Sequence, residues 1–77
     1  MIDIKVMGEV PSYARQGDAG ADLRATEDMT IYPGERKLVP TGVYMALPEG
    51  YVGLIHPRSG LAFNYGITVL NTPGTID

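Results

Sequence analysis

Apolar and polar residues alternate at the start of the chain. Ile2, Ile4 and Val6 flank Asp3 and Lys5, the two-residue period of a half-buried strand. "MTIYPGE" (29–35) carries a strand end and a Pro-Gly turn. "KLVPTGVYMAL" (37–47) reads as two strand pieces around "PTG", with Pro40 setting a bend or an edge. "PEG" (48–50) turns into the strand-like "YVGLIH" (51–56). "GITVLN" (66–71) is β-branched and apolar, and "TPGT" (72–75) turns again, with Gly74 free to supply a positive φ. No window sustains a 3.6-residue apolar period over helical length. The pattern predicts an all-β fold of roughly five or six short strands joined by tight turns, in a single domain spanning 1–77.

One stretch breaks the pattern. "GEVPSYARQGDAGADLRA" (8–25) reads as a long loop and a run of small residues ending in "DLRA". Long irregular loops in small domains are more often functional than not.

Composition narrows the function classes. At 77 residues a chain buries only about 60–65% of its unfolded surface, so outside support is expected. Disulfides cannot give it, because there is no Cys. The lack of Cys also removes thiolate metal sites and thiol nucleophiles, and it fits a reducing compartment. Six basic residues stand against nine acidic ones, for a net charge of −3. Only Arg36 and Lys37 are adjacent among the basic residues, which argues against a nucleic-acid surface. No apolar run approaches the ~20 residues of a membrane span, and "MIDIKVMGEV" has no signal-peptide layout. The expectation is a cytoplasmic protein with neither a membrane nor a nucleic-acid partner.

Three segments carry candidate chemistry. In "GDAGADLRA" (17–25), small residues let backbone approach a ligand, and Asp22 is either a solvated turn carboxylate or a group that orients a hard cation or its waters. In "HPRSGLAF" (56–63), Arg58, Ser59 and Gly60 offer a guanidinium, a hydroxyl and an unobstructed amide. That set suits an anionic oxygen cluster, more so if "GLAF" opens a helical turn. The alternative is a capping Ser beside a surface Arg. His56 is read as packed or hydrogen-bonded. In "NTPGTID" (71–77), Asn71 presents a donor and an acceptor, and a hairpin at Pro73-Gly74 would bring a ligand held by Asn71 near Asp77.

Taken in order, "AGADLRA" (19–25), "PRSGLA" (57–62) and "NTPGTID" (71–77) resemble the first three signature segments of the homotrimeric dUTP nucleotidohydrolase (dUTPase) family. The stretches "VPSYARQGDAGADL" and "VPTGVYMALPEGYVGLIHPRSGLA" are similar to that family's first loop and central strands, so the resemblance covers nearly the whole chain. It implies a distorted, jelly-roll-like β-barrel that hydrolyses dUTP to dUMP and pyrophosphate with Mg²⁺ on the triphosphate. By the resemblance, Asp22 orients a water of the metal shell, and Arg58, Ser59 and Gly60 hold the phosphate chain. Asn71 lies beside the uracil edge, Gly74 and Ile76 belong to the hairpin cradling uracil and deoxyribose, and Asp77 positions the attacking water.

Chains of that family continue past the third segment. They add a Tyr on the deoxyribose, a Gly-Asp-Arg segment and a Gly-rich arm with an Arg for the γ-phosphate. The resemblance therefore implies a barrel lacking its C-terminal strands, cut within the third segment, and no turnover by the short chain alone. Other readings stay open. The dCTP deaminases share the fold and a similar "RS-x-LA" segment, but carry a second Ser where Gly60 stands and a catalytic Glu beyond residue 77. A nucleotide- or protein-binding remnant, or a fragment that does not fold alone, would also fit.

Overall fold

The computed structural model describes residues 3–77; Ile2, the first apolar position of the expected N-terminal strand, lies outside them. The chain divides into two compact units, one ending at Ala46 and the other Leu47–Asp77.

In the first unit, β1 (Lys5–Gly8) pairs antiparallel with β2 (Val43–Ala46). The register sets Val6 opposite Met45 and Met7 opposite Tyr44. Directly opposed residues share a face, so Val6, Met45 and Val43 line one side while Met7 and Tyr44 line the other. The second side is open, with Met7 73% and Tyr44 69% exposed. The ladder ends where backbone chemistry ends it. Gly8 takes φ 76° and Gly42 φ 68°, and the Glu9 N–H donates to the Gly42 carbonyl at 2.9 Å. A Cβ on Gly8 would overlap the Gly42 carbonyl oxygen. At the other end, Pro48 has no N–H to continue β2 and biases Leu47 away from helix.

The expected strand pieces before β2 are not formed. Tyr32 to Glu35 make a turn instead, in which the Glu35 N–H donates to the Tyr32 carbonyl (2.9 Å) and Glu35 Oε1 accepts from the Tyr32 N–H (3.1 Å). Lys37 Nζ donates to the Thr30 carbonyl at 2.6 Å, and its 3.6 Å pairing with Glu35 is partly exposed and adds little. Pro40 contributes only a carbonyl, which accepts from the Thr26 N–H at 3.0 Å.

In the second unit, β3 (Gly53–Ile55) pairs antiparallel with β4 (Gly74–Ile76). Between them lies α1 (Ser59–Tyr65). The all-β expectation thus holds in its main part, two small antiparallel sheets, and misses one short helix. "GITVLN" is not a strand. Gly66, at φ 68° and ψ 22°, closes the helix, and the amides of Gly66 and Ile67 reach back to the carbonyls of Ala62 and Leu61. Val69 and Thr72 then form a turn (3.1 Å). The β-branched run has no ladder to join, and β-propensity acts only where a partner strand exists.

Gly74 was expected at positive φ inside a turn. It does not take a positive φ; it is the first residue of β4 and the one buried residue among those described. No large apolar side chain among the described residues is buried, and Leu38 and Phe63 are 96% and 90% exposed.

Gly8 and Gly17 separate two costs of substitution. Both hold positive φ, but a Cβ on Gly17 meets nothing within 4 Å. Gly17→Ala should therefore cost only the left-handed penalty of about 1–2 kcal/mol. Gly8→Ala should cost more, because it also breaks the β1–β2 register. Chemical denaturation of the two variants of the full-length protein checks the order.

Candidate functional site

The two aspartates of the first segment have different situations. Asp18 closes its own turn: Oδ2 accepts from the Arg15 N–H at 2.9 Å, and the Asp18 N–H donates to the Arg15 carbonyl at 3.2 Å. It is a loop-building residue. Asp22 instead sits in an isolated antiparallel bridge with Ser12. The Asp22 N–H donates to the Ser12 carbonyl at 2.7 Å, and the Ser12 N–H returns a bond at 3.4 Å. This exchange closes the loop 13–21 and fixes the backbone that carries the Asp22 carboxylate, which is half-buried. Asp22 and Ser12 line an open cleft of about 270 Å³ with Glu9, Arg24 and Thr41.

The second segment is organised by Pro57. It cannot extend β3 and restricts His56 to extended backbone. His56, expected to be packed or hydrogen-bonded, is exposed, so packing is not the role that the fold gives it. Arg58 is the helix N-cap at φ −84° and ψ 129°, without a side-chain cap, and its carbonyl accepts from the Ala62 N–H at 2.9 Å. Ser59 is therefore the first helical residue and not a capping Ser. The amides of Ser59, Gly60 and Leu61 fall in the turn that has no intrahelical acceptor. No acidic side chain sits in that turn to offset its partial positive charge. An open depression of about 350 Å³ is lined by Arg58, Ser59, Gly60, Leu61, Asn64 and Tyr65. Asn64 and Tyr65 were not expected there; the signal for them is their three- and four-residue spacing from Leu61, legible only once a helix is assumed.

The third segment is spread along β4. Asn71 lies at its entrance, with its amide against Gly74: a Cβ there would stand 3.6 Å from Nδ2 and 3.7 Å from Oδ1. Ile76 pairs with Gly53, and Asp77 follows the last ladder pair, exposed. Gly74 and Asp77 are three extended steps apart, about 10 Å. The hairpin expected at Pro73-Gly74 is not there: Asn71 lies in the Val69–Thr72 turn that precedes β4, and Asp77 follows Ile76 at the strand's far end. A ligand touching both would have to span that length.

No group of three or more His, Cys, Asp or Glu side chains among the described residues is placed to hold a metal ion. No helix among them is long and apolar enough to cross a membrane.

The dUTPase family model matches residues 7–77. A deoxyuridine 5'-triphosphate nucleotidohydrolase of Leifsonia xyli subsp. xyli is 56% identical over 77 residues, covering 99% of this chain and 51% of the relative. One from Bifidobacterium longum is 68% identical over 65 residues, 84% of this chain and 41% of the relative. One from Mycolicibacterium gilvum is 60% identical over 68 residues, 88% and 44% respectively. The chain spans about half the length of the curated relatives it matches.

The Arg58–Tyr65 surface depends on how α1 ends. Nothing lies within 4 Å of a Cβ built on Gly66, yet its φ is 68°. Gly66→Ala should cost about 1–2 kcal/mol for purely conformational reasons. It should speed amide exchange in α1 while leaving the β3–β4 amides protected, as hydrogen-exchange NMR would show.

Proposed function

The chain belongs to the dUTPase family, and from that premise we propose that the protein hydrolyses dUTP to dUMP and pyrophosphate as part of a jelly-roll-type, homotrimeric assembly. The observation that carries the reading is the order of three segments: Asp22 in its bridge, Arg58 to Gly60 at the opening of α1, and Asn71 to Asp77 leading into and past β4.

Each group has a task its chemistry suits. The Arg58 guanidinium and the amides of Ser59 and Gly60 hold the phosphate chain and spread its charge. Asn71 offers one donor and one acceptor to the uracil edge, which differs from cytosine in that pattern. Gly74 and Ile76 form the floor under the base and sugar. The Asp77 carboxylate accepts a hydrogen bond from a water and aims it at the α-phosphorus. The new bond joins water oxygen to that phosphorus, the bond to the bridging oxygen breaks, and pyrophosphate leaves as the water's proton passes to the carboxylate.

Asp22, half-buried and in no group of three or more metal-ligating side chains among the described residues, fits a Mg²⁺ that arrives on the triphosphate and keeps its waters; it does not fit a cage for a bare ion. That ion would neutralise the phosphate oxygens, with Asp22 hydrogen-bonded to one of its waters. The homotrimer is carried by the resemblance to the family; Met7, Tyr44, Leu38 and Phe63 are exposed in residues that span about half the length of the matched relatives. Residues 1–77 by themselves are expected to show no turnover.

The decisive assay is pyrophosphate release by the full-length protein with Mg²⁺, using dUTP and dCTP in parallel. The expected result is a strong preference for dUTP. Asp77→Asn should lower kcat on the order of 10²–10⁴-fold with little change in KM. Equal use of dCTP, or preference for it, would sink the reading in favour of a deaminase-like enzyme. Binding of dUTP without turnover would point to a nucleotide-binding protein.

A further inference from the structure

Three stretches of the first unit meet in pairs. The Glu9 N–H donates to the Gly42 carbonyl at 2.9 Å, Ser12 and Asp22 exchange backbone bonds, and the Thr26 N–H donates to the Pro40 carbonyl at 3.0 Å. Each stretch is tied to both of the others, so the three close a ring. Every residue lining the open cleft beside Asp22 comes from 9–12, from 22–26 or from positions 41 and 43. The ring is the frame of that cleft. Asp22 stands on the side made by 22–26, held by Ser12 at one end and through Thr26 at the other.

The junction between the other two sides is the tightest. A Cβ on Gly8 would overlap the Gly42 carbonyl oxygen, and one on Gly42 would stand 3.0 Å from Glu9 Cγ and 3.1 Å from Thr26 Cγ2. The overlap at Gly8 is with a backbone atom, so no side-chain rotation relieves it. It has to push residues 8–9 away from residues 41–42. The stretch that carries Asp22 is anchored on both sides of that gap, to Ser12 on one and to Pro40 on the other. It cannot follow both.

We infer that Gly8, by allowing the close crossing with Gly42, is a positioning residue for Asp22. The inference rests on the dUTP-hydrolysis reading, in which Asp22 is hydrogen-bonded to a water of the Mg²⁺ on the triphosphate. Removing a group that orients a metal's surroundings costs on the order of 10–100-fold in metal affinity. The loss falls on the metal-dependent part of nucleotide binding, because the residues proposed for phosphate and base lie in the second unit.

The test is calorimetry on the full-length protein. The probe is a dUTP analogue with an imido group between the α and β phosphates, titrated with Mn²⁺ present and with EDTA. The ratio of the two affinities is the metal's contribution. Asp22→Asn should lower that ratio. Gly8→Ala should lower it on the order of 10-fold, with the metal-free affinity within a few-fold of the parent. The double variant should fall no further than the larger single effect, since groups acting as one unit are not additive. Gly34→Ala is the control: its φ of 78° matches the 76° of Gly8, but its Cβ meets nothing within 4 Å. It should keep the parental ratio. A parental ratio in Gly8→Ala, losses that add in the double variant, or an equal loss in Gly34→Ala each overturns the inference. If Gly8→Ala does not fold, Gly42→Ala, whose close neighbours are side-chain atoms, takes its place. Failure of both to fold makes the crossing a folding requirement and overturns the positioning role. A parental ratio in Asp22→Asn, or a wild-type protein inactive on dUTP, instead removes the functional reading, which separates the two failures.

Discussion

Close backbone approach at glycine is the constraint on which the rest of this chain depends. In the first unit Gly8 lies against the Gly42 carbonyl, and in the second Gly53 and Gly74 each face an isoleucine across a ladder. Strands of three and four residues make few hydrogen bonds. Registers this short are normally fixed by a buried face, because a one-residue slip would expose it. Here the large apolar side chains among the described residues are all partly or fully exposed. A slip of one residue in β3–β4 would set Leu54 opposite Ile76 or opposite Gly74 and take both glycines out of their pairs with isoleucine.

That arrangement has an energetic consequence. Burial of apolar area gives about 25 cal/mol per Å², and it normally offsets the backbone entropy of about 1–2 kcal/mol per ordered residue. With Leu38, Phe63, Leu70 and Tyr65 largely exposed, little of that offset arises within residues 3–77. The balance has to come from surfaces packed onto these side chains. A homotrimer is the form we propose. It would place the local precision of the ladders under the control of a larger assembly, in which small strands can be held without a core of their own.

The sequence made the chemistry more legible than the architecture. Arg58, Ser59 and Gly60 are contiguous, so their grouping needs no tertiary information, whereas α1 over Ser59–Tyr65, whose opening turn was weighed only as a condition, is the helix that the all-β expectation missed. Turn residues were also readable: the turns at Pro33-Gly34 and at Pro48 to Tyr51 are where proline and glycine put them. Strands were not. "GITVLN" has β-branched residues but spends Gly66 and Ile67 on capping a helix, and "MTIY" has an apolar pattern but no partner. Strand formation is decided by what lies alongside, which a linear pattern does not contain. Gly74 shows the same limit. The dipeptide Pro73-Gly74 suggested a turn, whereas Gly74 opens β4 in extended backbone and is buried. Met7 and Tyr44, at alternating positions, could be expected to share a face, but their exposure could not.

The placement of the third segment explains why a strand, rather than a loop, suits its proposed work. A loop can present an amide and a carboxylate, but their separation fluctuates with the loop. An extended strand fixes it at about 3.3 Å per residue, so position 74, which meets the Asn71 amide, and Asp77 just past Ile76 are held at a set spacing by β4. The ends proposed to recognise the base and to position the water then share one external reference, the neighbouring strand. β3 supplies it through two glycine–isoleucine contacts, one near each end. The residues proposed to hold phosphate follow β3 after His56 and Pro57, so the strand that pairs with β4 also leads into the amides of α1. One three-residue strand thereby connects the residues proposed for base, water and phosphate contacts within the second unit.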